Sequence, residues 1–77
     1  MNQPEAAEAM GCSIATVSRI CSGERQPSID LMKQIRRVFS WGLEAQINAQ
    51  SRGTYAVEFV HKMDRRRMRH RMRRVRV

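Results

Sequence analysis

Two glycines, Gly11 and Gly23, constrain the fold of this chain more than any other feature. Each follows a short segment of helix-forming composition, and glycine readily ends a helix because it adopts the left-handed conformation at little cost. Ser13 stands two residues after the first glycine and is a good N-cap for the segment that the second glycine closes. The pattern predicts two short helices, over residues 2–10 and 13–22, joined by a tight turn.

The first of these helices also carries signals for its beginning. Asn2 and Glu5 have the spacing of a capping box, and Pro4 falls in the first turn, where its missing N–H costs little. In the second helix Val17 and Ile20 lie three residues apart and predict its buried face. Two helices joined by such a glycine-containing turn form the supersecondary motif called a helix-turn-helix.

A third and a fourth helix are predicted after this motif. Ser28 is the N-cap of the third, whose apolar residues recur with the helical period: Leu31, Met32, Ile35, Val38 and Phe39. Trp41, in the break that follows, is expected to fill the core. The fourth helix is predicted over residues 43–50 and is expected to bury Leu43 and Ile47, with the three residues after it as the next break.

Residues 54–63, TYAVEFVHKM, fit two conformations. In a strand Tyr55, Val57 and Phe59 would alternate, whereas in a helix Tyr55, Phe59 and Met63 align on one face. The continuation is rich in arginine and methionine, which favours the helix, and this charge run is expected to fray when no partner is bound. The sequence thus predicts an all-α fold, a small helical bundle that contains a helix-turn-helix and ends in a basic helix or tail.

The charge of the chain points to a polyanionic partner. The 77 residues are enough for one domain with a modest core, and their formal net charge is +8. Residues 1–55 are nearly balanced, with six basic and five acidic side chains, whereas residues 56–77 hold nine basic and two acidic ones. Such an excess favours nucleic acid or an anionic surface as partner.

Other classes of protein are disfavoured by what the sequence lacks. Cys12 and Cys21 would lie about 13 Å apart along a helix, too far for a disulfide, and together with His61 and His70 they have no zinc-site spacing. We find no phosphate-binding glycine loop, no nucleophile–base pair, no signal peptide and no 18-residue apolar segment. We therefore expect a cytoplasmic protein that is not an enzyme, with no metal, cofactor, membrane or small-molecule substrate.

Residues 2–43 resemble the lambda-repressor-like, or Cro-type, helix-turn-helix domain, also called the xenobiotic-response-element family. The residues that carry the resemblance are Gln3, Ala7-Glu8, Gly11, Ser13, Ser18-Arg19-Ile20, Gly23, Arg25 and Pro27-Ser28. The resemblance implies a DNA-binding domain over residues 1–50, followed by a C-terminal extension over 51–77. Family members usually have one more helix before the segment that begins here at Asn2. In those family members this helix covers one side of the core. Here we expect the segment from Tyr55 to Met63, or a second subunit, to cover that side.

The resemblance also implies which residues meet DNA. In this motif the second helix lies in the major groove, and the positions carried over as base-reading are Ser13, Ile14, Ala15, Ser18, Arg19 and Ser22. Arg19 suits the O6 and N7 atoms of guanine, and Ile14 and Ala15 suit thymine methyl groups. The positions expected at backbone phosphates are Gln3, Arg25, Gln26 and Lys33, joined by the tail residues Arg65, Arg66, Arg67, Arg69 and Arg71.

The function predicted from these residues is sequence-specific binding of double-stranded DNA. We expect a transcriptional regulator of the repressor or Cro type, of phage or bacterial origin, acting as a homodimer on a two-fold site. Two alternatives stay open. The arginine-rich tail alone would suit a protein that binds RNA or DNA without sequence preference. The truncated motif would also suit a protein-interaction partner of a full repressor or of a host protein.

Overall fold

A computed structural model describes the backbone of residues 1–76 and the side chains of residues 1–65. This part of the chain forms five helices and no strand: α1 (Gln3–Met10), α2 (Ile14–Ser22), α3 (Ile29–Phe39), α4 (Leu43–Arg52) and α5 (Tyr55–Arg76). The predicted all-α fold is confirmed, and residues 55–63 are helical rather than extended. The helix α5 continues through the basic segment to Arg76.

The ends of α1 and α2 follow the capping signals in the sequence. The side chain of Asn2 accepts a hydrogen bond from the Glu5 N–H at 2.9 Å, and the Glu5 carboxylate accepts one from the Asn2 N–H at 2.9 Å. Gly11 and Gly23 end the two helices with φ of 72° and 83°. A side chain at either glycine would be strained in this left-handed conformation, so the two glycines set the turn and the loop on both sides of α2.

The motif is joined to α3 by packing and by one arginine. Ser28 accepts a hydrogen bond from the Leu31 N–H at 3.3 Å, which confirms it as the N-cap of α3. Further along α3, the Arg37 guanidinium donates to the Ala9 carbonyl at 2.7 Å and to the Gln34 side chain. This contact holds the last turn of α1 against α3, so the helix-turn-helix is fixed on the third helix.

The first nine residues of α5 complete the core. Tyr55, Phe59 and Met63 are all buried, and α5 packs against α2, α3 and α4. The Phe59 ring meets the Phe39 ring edge to face with centroids 5.6 Å apart, and the Tyr55 ring stacks on Trp41 at 4.8 Å. These aromatic contacts confirm the expected place of Trp41 in the core.

The expectation that α5 covers the core of the motif is also confirmed. Ala7, Met10 and Ile35, in the part of the core that was expected to need this cover, are at most 3% exposed within this single chain. They belong to the same hydrophobic cluster as Tyr55 and Phe59. Within the described residues no second subunit is needed to bury them.

The predicted buried face of α4 is wrong. Leu43 is only partly buried and Ile47 is 49% exposed, whereas Gln46 and Ala49 are fully buried. The Gln46 amide can replace a core hydrophobe because every one of its polar atoms is paired. Its nitrogen donates to the carbonyls of Met32 at 2.9 Å and Trp41 at 2.8 Å, and its oxygen accepts from the Tyr55 hydroxyl at 2.7 Å.

The end of α4 also differs from the prediction. The helix extends past residue 50 to Arg52, and the break begins only at Gly53, which has φ of 73°. Cys12 and Cys21 are both free, as their spacing predicted. None of the helices in residues 1–76 combines the length and the apolar character that crossing a bilayer requires.

Candidate nucleic-acid interface

One side of α2 faces solvent along its whole length. Val17 and Ile20 point into the core, as predicted, and Thr16 and Cys21 on their flanks are half-buried. The exposed residues of the helix and its cap are Ser13, Ile14, Ala15, Ser18, Arg19 and Ser22. At 100° per residue the exposed helical positions span an arc of about 140°. The structure therefore brings five of the six predicted base-reading residues, all but Ser13, onto one open surface, which we call the α2 face. Ser13 is exposed at the N-terminal end of the helix as its cap.

The α2 face is held rigidly at its beginning. The Ser13 hydroxyl accepts a hydrogen bond from the Thr16 N–H at 3.1 Å and lies 2.8 Å from the Thr16 hydroxyl. Ser13 is therefore the N-cap of α2, and its hydroxyl is already engaged by Thr16. Ile14, in the next position, is 52% exposed although it is a large aliphatic residue. An apolar side chain standing in water next to a helix N-terminus is available for contact with an apolar group on a partner.

Arg19 is the only charged side chain of α2. It is exposed, and within residues 1–65 its guanidinium forms no ion pair or hydrogen bond. Its carbonyl, by contrast, accepts the N–H groups of Gly23 and Glu24, the latter at 2.9 Å. The backbone at Arg19 is thus fixed while the side chain points into solvent.

Two serines of the α2 face differ in the state of their hydroxyls. Ser22 Oγ donates to the Arg19 carbonyl at 3.1 Å, so its oxygen is left as a hydrogen-bond acceptor. Ser18 forms no hydrogen bond through its hydroxyl within residues 1–65 and can act as donor or acceptor. The face therefore offers one strong donor group at Arg19, adaptable hydroxyls, and the apolar surface of Ile14 and Ala15.

The four predicted phosphate-binding residues outside the tail lie on α1, in the loop after α2 and on α3. Gln3 is the first residue of α1 and is half-buried, and Arg25 and Gln26 are exposed in the loop after α2. The loop is held to α2 by the Arg25 N–H, which donates to the Arg19 carbonyl at 3.3 Å. Lys33 is exposed on α3.

Only one of the five predicted tail residues has a described side chain. Arg65 is exposed on α5. The side chains of Arg66, Arg67, Arg69 and Arg71 lie outside the described residues, although the backbone of α5 carries all four. Their role at phosphates stays a prediction.

The exposure of Ile29 is not predicted by the sequence patterns above: its side chain is 60% exposed in the first turn of α3. It follows the Ser28 cap and the loop that holds Arg25 and Gln26. The spacing alone would bury Ile29, since it lies three residues before the buried Met32. Its position directly after the Ser28 cap indicates exposure instead, because the first turn of a helix projects beyond the core. The apolar stripe predicted for α3 began only at Leu31.

The thiols of the motif are packing groups. Burial raises the pKa of Cys12, and burial together with the nearby Asp64 carboxylate raises the pKa of Cys21. Both thiols therefore stay neutral at physiological pH, and the Cys21 sulfur lies 3.9 Å from the Met63 sulfur in the contact between α2 and α5. Among residues 1–65, no three histidine, cysteine or carboxylate side chains are grouped as metal ligands.

The comparison with protein families gives one match. A family model described as Helix-turn-helix matches residues 1–40, which span α1, α2 and α3. The comparisons with curated proteins and with solved structures give no match to this chain.

Proposed function

Because the chain belongs to the helix-turn-helix family of lambda-repressor and Cro-type domains, we propose that this DNA-binding protein recognises a specific duplex sequence and represses transcription by occupying a promoter. One observation carries the proposal: five of the six residues predicted to read bases share the exposed α2 face, with Ser13 exposed at its N-terminal end, while Val17 and Ile20 on the other side of the helix are buried in the core. A helix presented in this way fits the major groove, whose base edges carry the sequence.

Each kind of side chain on the α2 face has a partner of matching chemistry in the groove. The unpaired Arg19 guanidinium donates two hydrogen bonds to guanine O6 and N7, and such a pair supplies about 1–3 kcal/mol of discrimination. Ile14 and Ala15 contact thymine methyl groups. The small side chains of Ser18 and Ser22 let the helix approach closely and leave hydroxyls for base edges or phosphates.

Contacts outside the α2 face set the register of the protein on the duplex. Gln3 at the start of α1, Arg25 and Gln26 in the loop, and Lys33 on α3 bind backbone phosphates, which position the protein without reading sequence. The basic end of α5 adds sequence-independent affinity that falls as salt concentration rises. A regulator of this kind acts in a bacterial cytoplasm or nucleoid, or in the host cytoplasm if a phage encodes it.

A homodimer on a two-fold operator is part of the proposal. Two copies of α2 would then enter major grooves one helical turn apart, with half-sites about 10 base pairs between centres. Selected sequences that contain an inverted repeat at this spacing would support the dimer. A single short motif bound by one protein chain would contradict it.

The experiment that tests the proposal is selection from a random duplex library at physiological salt. The wild-type protein should enrich a motif with guanine at one fixed position. The Arg19→Ala variant should lose preference at that position alone and bind the selected sequence roughly 5- to 150-fold more weakly, as about 1–3 kcal/mol implies. Because Arg19 is exposed, the variant should unfold at the same temperature as the wild type.

Arg36→Ala is the matched control, since it removes the same charge from the last turn of α3. It should leave the selected motif unchanged. Enrichment of no motif, with equal binding to any RNA or DNA that disappears when residues 64–77 are removed, would contradict the proposal in favour of the tail acting alone. Binding to a protein partner and to no duplex would contradict it in favour of an interaction protein.

A further inference from the structure

The helix α5 has two parts with different surroundings. It runs without a break from Tyr55 to Arg76, and its buried residues Tyr55, Phe59 and Met63 anchor the first part in the core. The part after Met63 continues the same helix for about 20 Å at 1.5 Å per residue. Because an α-helix is stiff over this length, the buried turns fix the direction in which the second part leaves the molecule.

The second part of α5 begins beside the start of α1. The Met1 nitrogen donates a hydrogen bond to the Met63 carbonyl at 3.1 Å, and α1 begins two residues later at Gln3. The Met63 sulfur also lies 3.9 Å from the sulfur of Cys21, in the last turns of α2. The segment therefore leaves the core where the beginning of α1 and the end of α2 come together.

The charge of this segment differs from that of the rest of the chain. Residues 64–77 contain eight arginines and a single acidic residue, Asp64. In a helix-turn-helix bound to DNA the first helix crosses the phosphate backbone. The arginines thus start at the point where the motif meets the backbone.

We propose that residues 64–76 of α5 form an arm that lies along the phosphate backbone of duplex DNA flanking the half-site, on the side of the α1 N-terminus. This inference rests on the proposed function, in which the α2 face occupies the major groove. At 3.4 Å per base pair, an arm of about 20 Å reaches about six base pairs beyond the half-site. The arm reads no sequence and makes the protein's contact with DNA longer on one side than on the other.

The test compares the wild type with two variants that change the same five arginines, Arg65, Arg66, Arg67, Arg69 and Arg71. One variant carries glutamine at all five positions, and the matched control carries lysine. All three residue types are good helix formers, so circular dichroism should show equal helix content. Half-site duplexes with eight added base pairs on one flank, on the other flank, or on neither are the ligands.

The salt dependence of binding gives the first readout. On duplexes with the correct flank, the glutamine variant should lower the slope of log K against log salt by about 0.9 for each phosphate that an arginine no longer neutralises, and the lysine variant should keep the slope. On duplexes without that flank, the difference in slope between the glutamine variant and the other two proteins should be much smaller. Equal slopes for all three proteins on every duplex would overturn the arm.

Hydroxyl-radical footprinting gives the second readout and identifies the side. Gln3→Ala should lose protection at a phosphate on one edge of the half-site, which marks the α1 side. The wild type should protect about six further base pairs beyond that edge, and the glutamine variant should lose this protection alone. Extra protection at the opposite edge would overturn the proposal. A glutamine variant that no longer binds single-stranded RNA but binds every duplex as the wild type does would also overturn it. If the wild type shows no protection beyond the half-site but still binds the selected motif, the arm is excluded and the proposed function still holds.

Discussion

At the scale of single residues, the buried amide of Gln46 explains most about how the helices are joined. It connects the carbonyls of Met32 in α3 and Trp41 in the following turn, and it accepts the Tyr55 hydroxyl of α5. Burial raises the pKa of Tyr55, so the hydroxyl is protonated and acts as a donor at neutral pH. One side chain therefore links three consecutive helices inside the core.

Tyr55→Phe should destabilise the protein by about 1–3 kcal/mol. The ring and its stacking on Trp41 are kept, but the Gln46 oxygen is left buried without a donor, and an unsatisfied buried acceptor costs its full desolvation energy. Urea unfolding followed by circular dichroism measures the change in stability. Asn48→Ala, an exposed amide on the same helix as Gln46, is the control and should change stability by less than about 0.5 kcal/mol. Equal effects of the two substitutions would contradict a role for the buried network.

Residue burial was predictable where one face of a helix is apolar and the other polar. In α2, Val17 and Ile20 alternate with serines and Arg19, so the buried and exposed sides could be separated from spacing alone. In α4 the same reasoning failed, because Ile47 and Gln46 occupy adjacent positions and polarity favoured the wrong one. The pairing of Gln46 depends on carbonyls from α3 and the following turn and on a hydroxyl from α5, which no local pattern contains.

At the scale of whole helices, the junction of α4 and α5 contains an electrostatic interaction whose contribution to the free energy of unfolding depends on pH. The Thr54 hydroxyl and the Arg52 guanidinium both donate to the Glu58 carboxylate, the latter at 3.1 Å. These hydrogen bonds, that of Thr54 first, hold the pKa of Glu58 below its ordinary value of 4.5. They stabilise the charged form, so they fix the last turn of α4 to the first turn of α5 while Glu58 is ionised.

The Glu58→Gln variant should be less stable than the wild type at neutral pH and equally stable in acid. A carboxylate whose pKa is lowered in the folded state contributes stability above its unfolded pKa, and this contribution disappears as pH falls through the folded value. The wild type and the variant should therefore differ at pH values well above 4.5 and converge as pH falls below it. Unfolding midpoints in urea from neutral to acid pH measure this. Thr54→Val, which removes the first donor, should shrink the pH dependence, and parallel curves for wild type and Glu58→Gln would contradict the assignment.

Helix boundaries were predictable to the extent that local chemistry sets them. Asn2, Ser13 and Ser28 are N-caps, and Gly11 and Gly23 are in the left-handed conformation, as their residue types indicated. These signals act over about four residues and need no tertiary context. The predicted end of α4 at residue 50 is two residues too early, because Ser51 and Arg52 are polar residues next to Gly53 and resemble part of the same break. Of these three residues only Gly53 has positive φ.

At the scale of the whole molecule, α5 completes the core of the helix-turn-helix. It closes the core over α2 and α3 and brings Tyr55, Phe59 and Met63 into the same cluster as Ala7 and Ile35. From the resemblance we expect either the segment from Tyr55 to Met63 or a second subunit to cover this core, and in the structure the segment covers it. It could not predict where the basic continuation leaves the core, because that depends on the angle at which α5 crosses α2. The division of the chain at residue 50 stays a prediction.

Two truncations should separate the part of α5 that the fold needs from the part that DNA binding needs. A chain that ends at Gly53 loses Tyr55, Phe59 and Met63, and removing even one buried aromatic side chain costs about 3–5 kcal/mol. A domain of this size has a stability of about 5 kcal/mol or little more. The chain that ends at Gly53 should therefore lose its cooperative thermal transition and the near-ultraviolet signal of Trp41.

A chain that ends at Arg65 keeps every buried residue of α5 that the structure describes and should unfold cooperatively, close to the wild-type temperature. Two point variants separate packing from chain length. Phe59→Ala should destabilise by about 3–5 kcal/mol, and Val57→Ala, at a position 73% exposed on the same helix, should change little. If the chain that ends at Gly53 instead folds cooperatively, α5 is an appendage to a complete domain, and its arginines are carried on a tail whose direction the core does not fix.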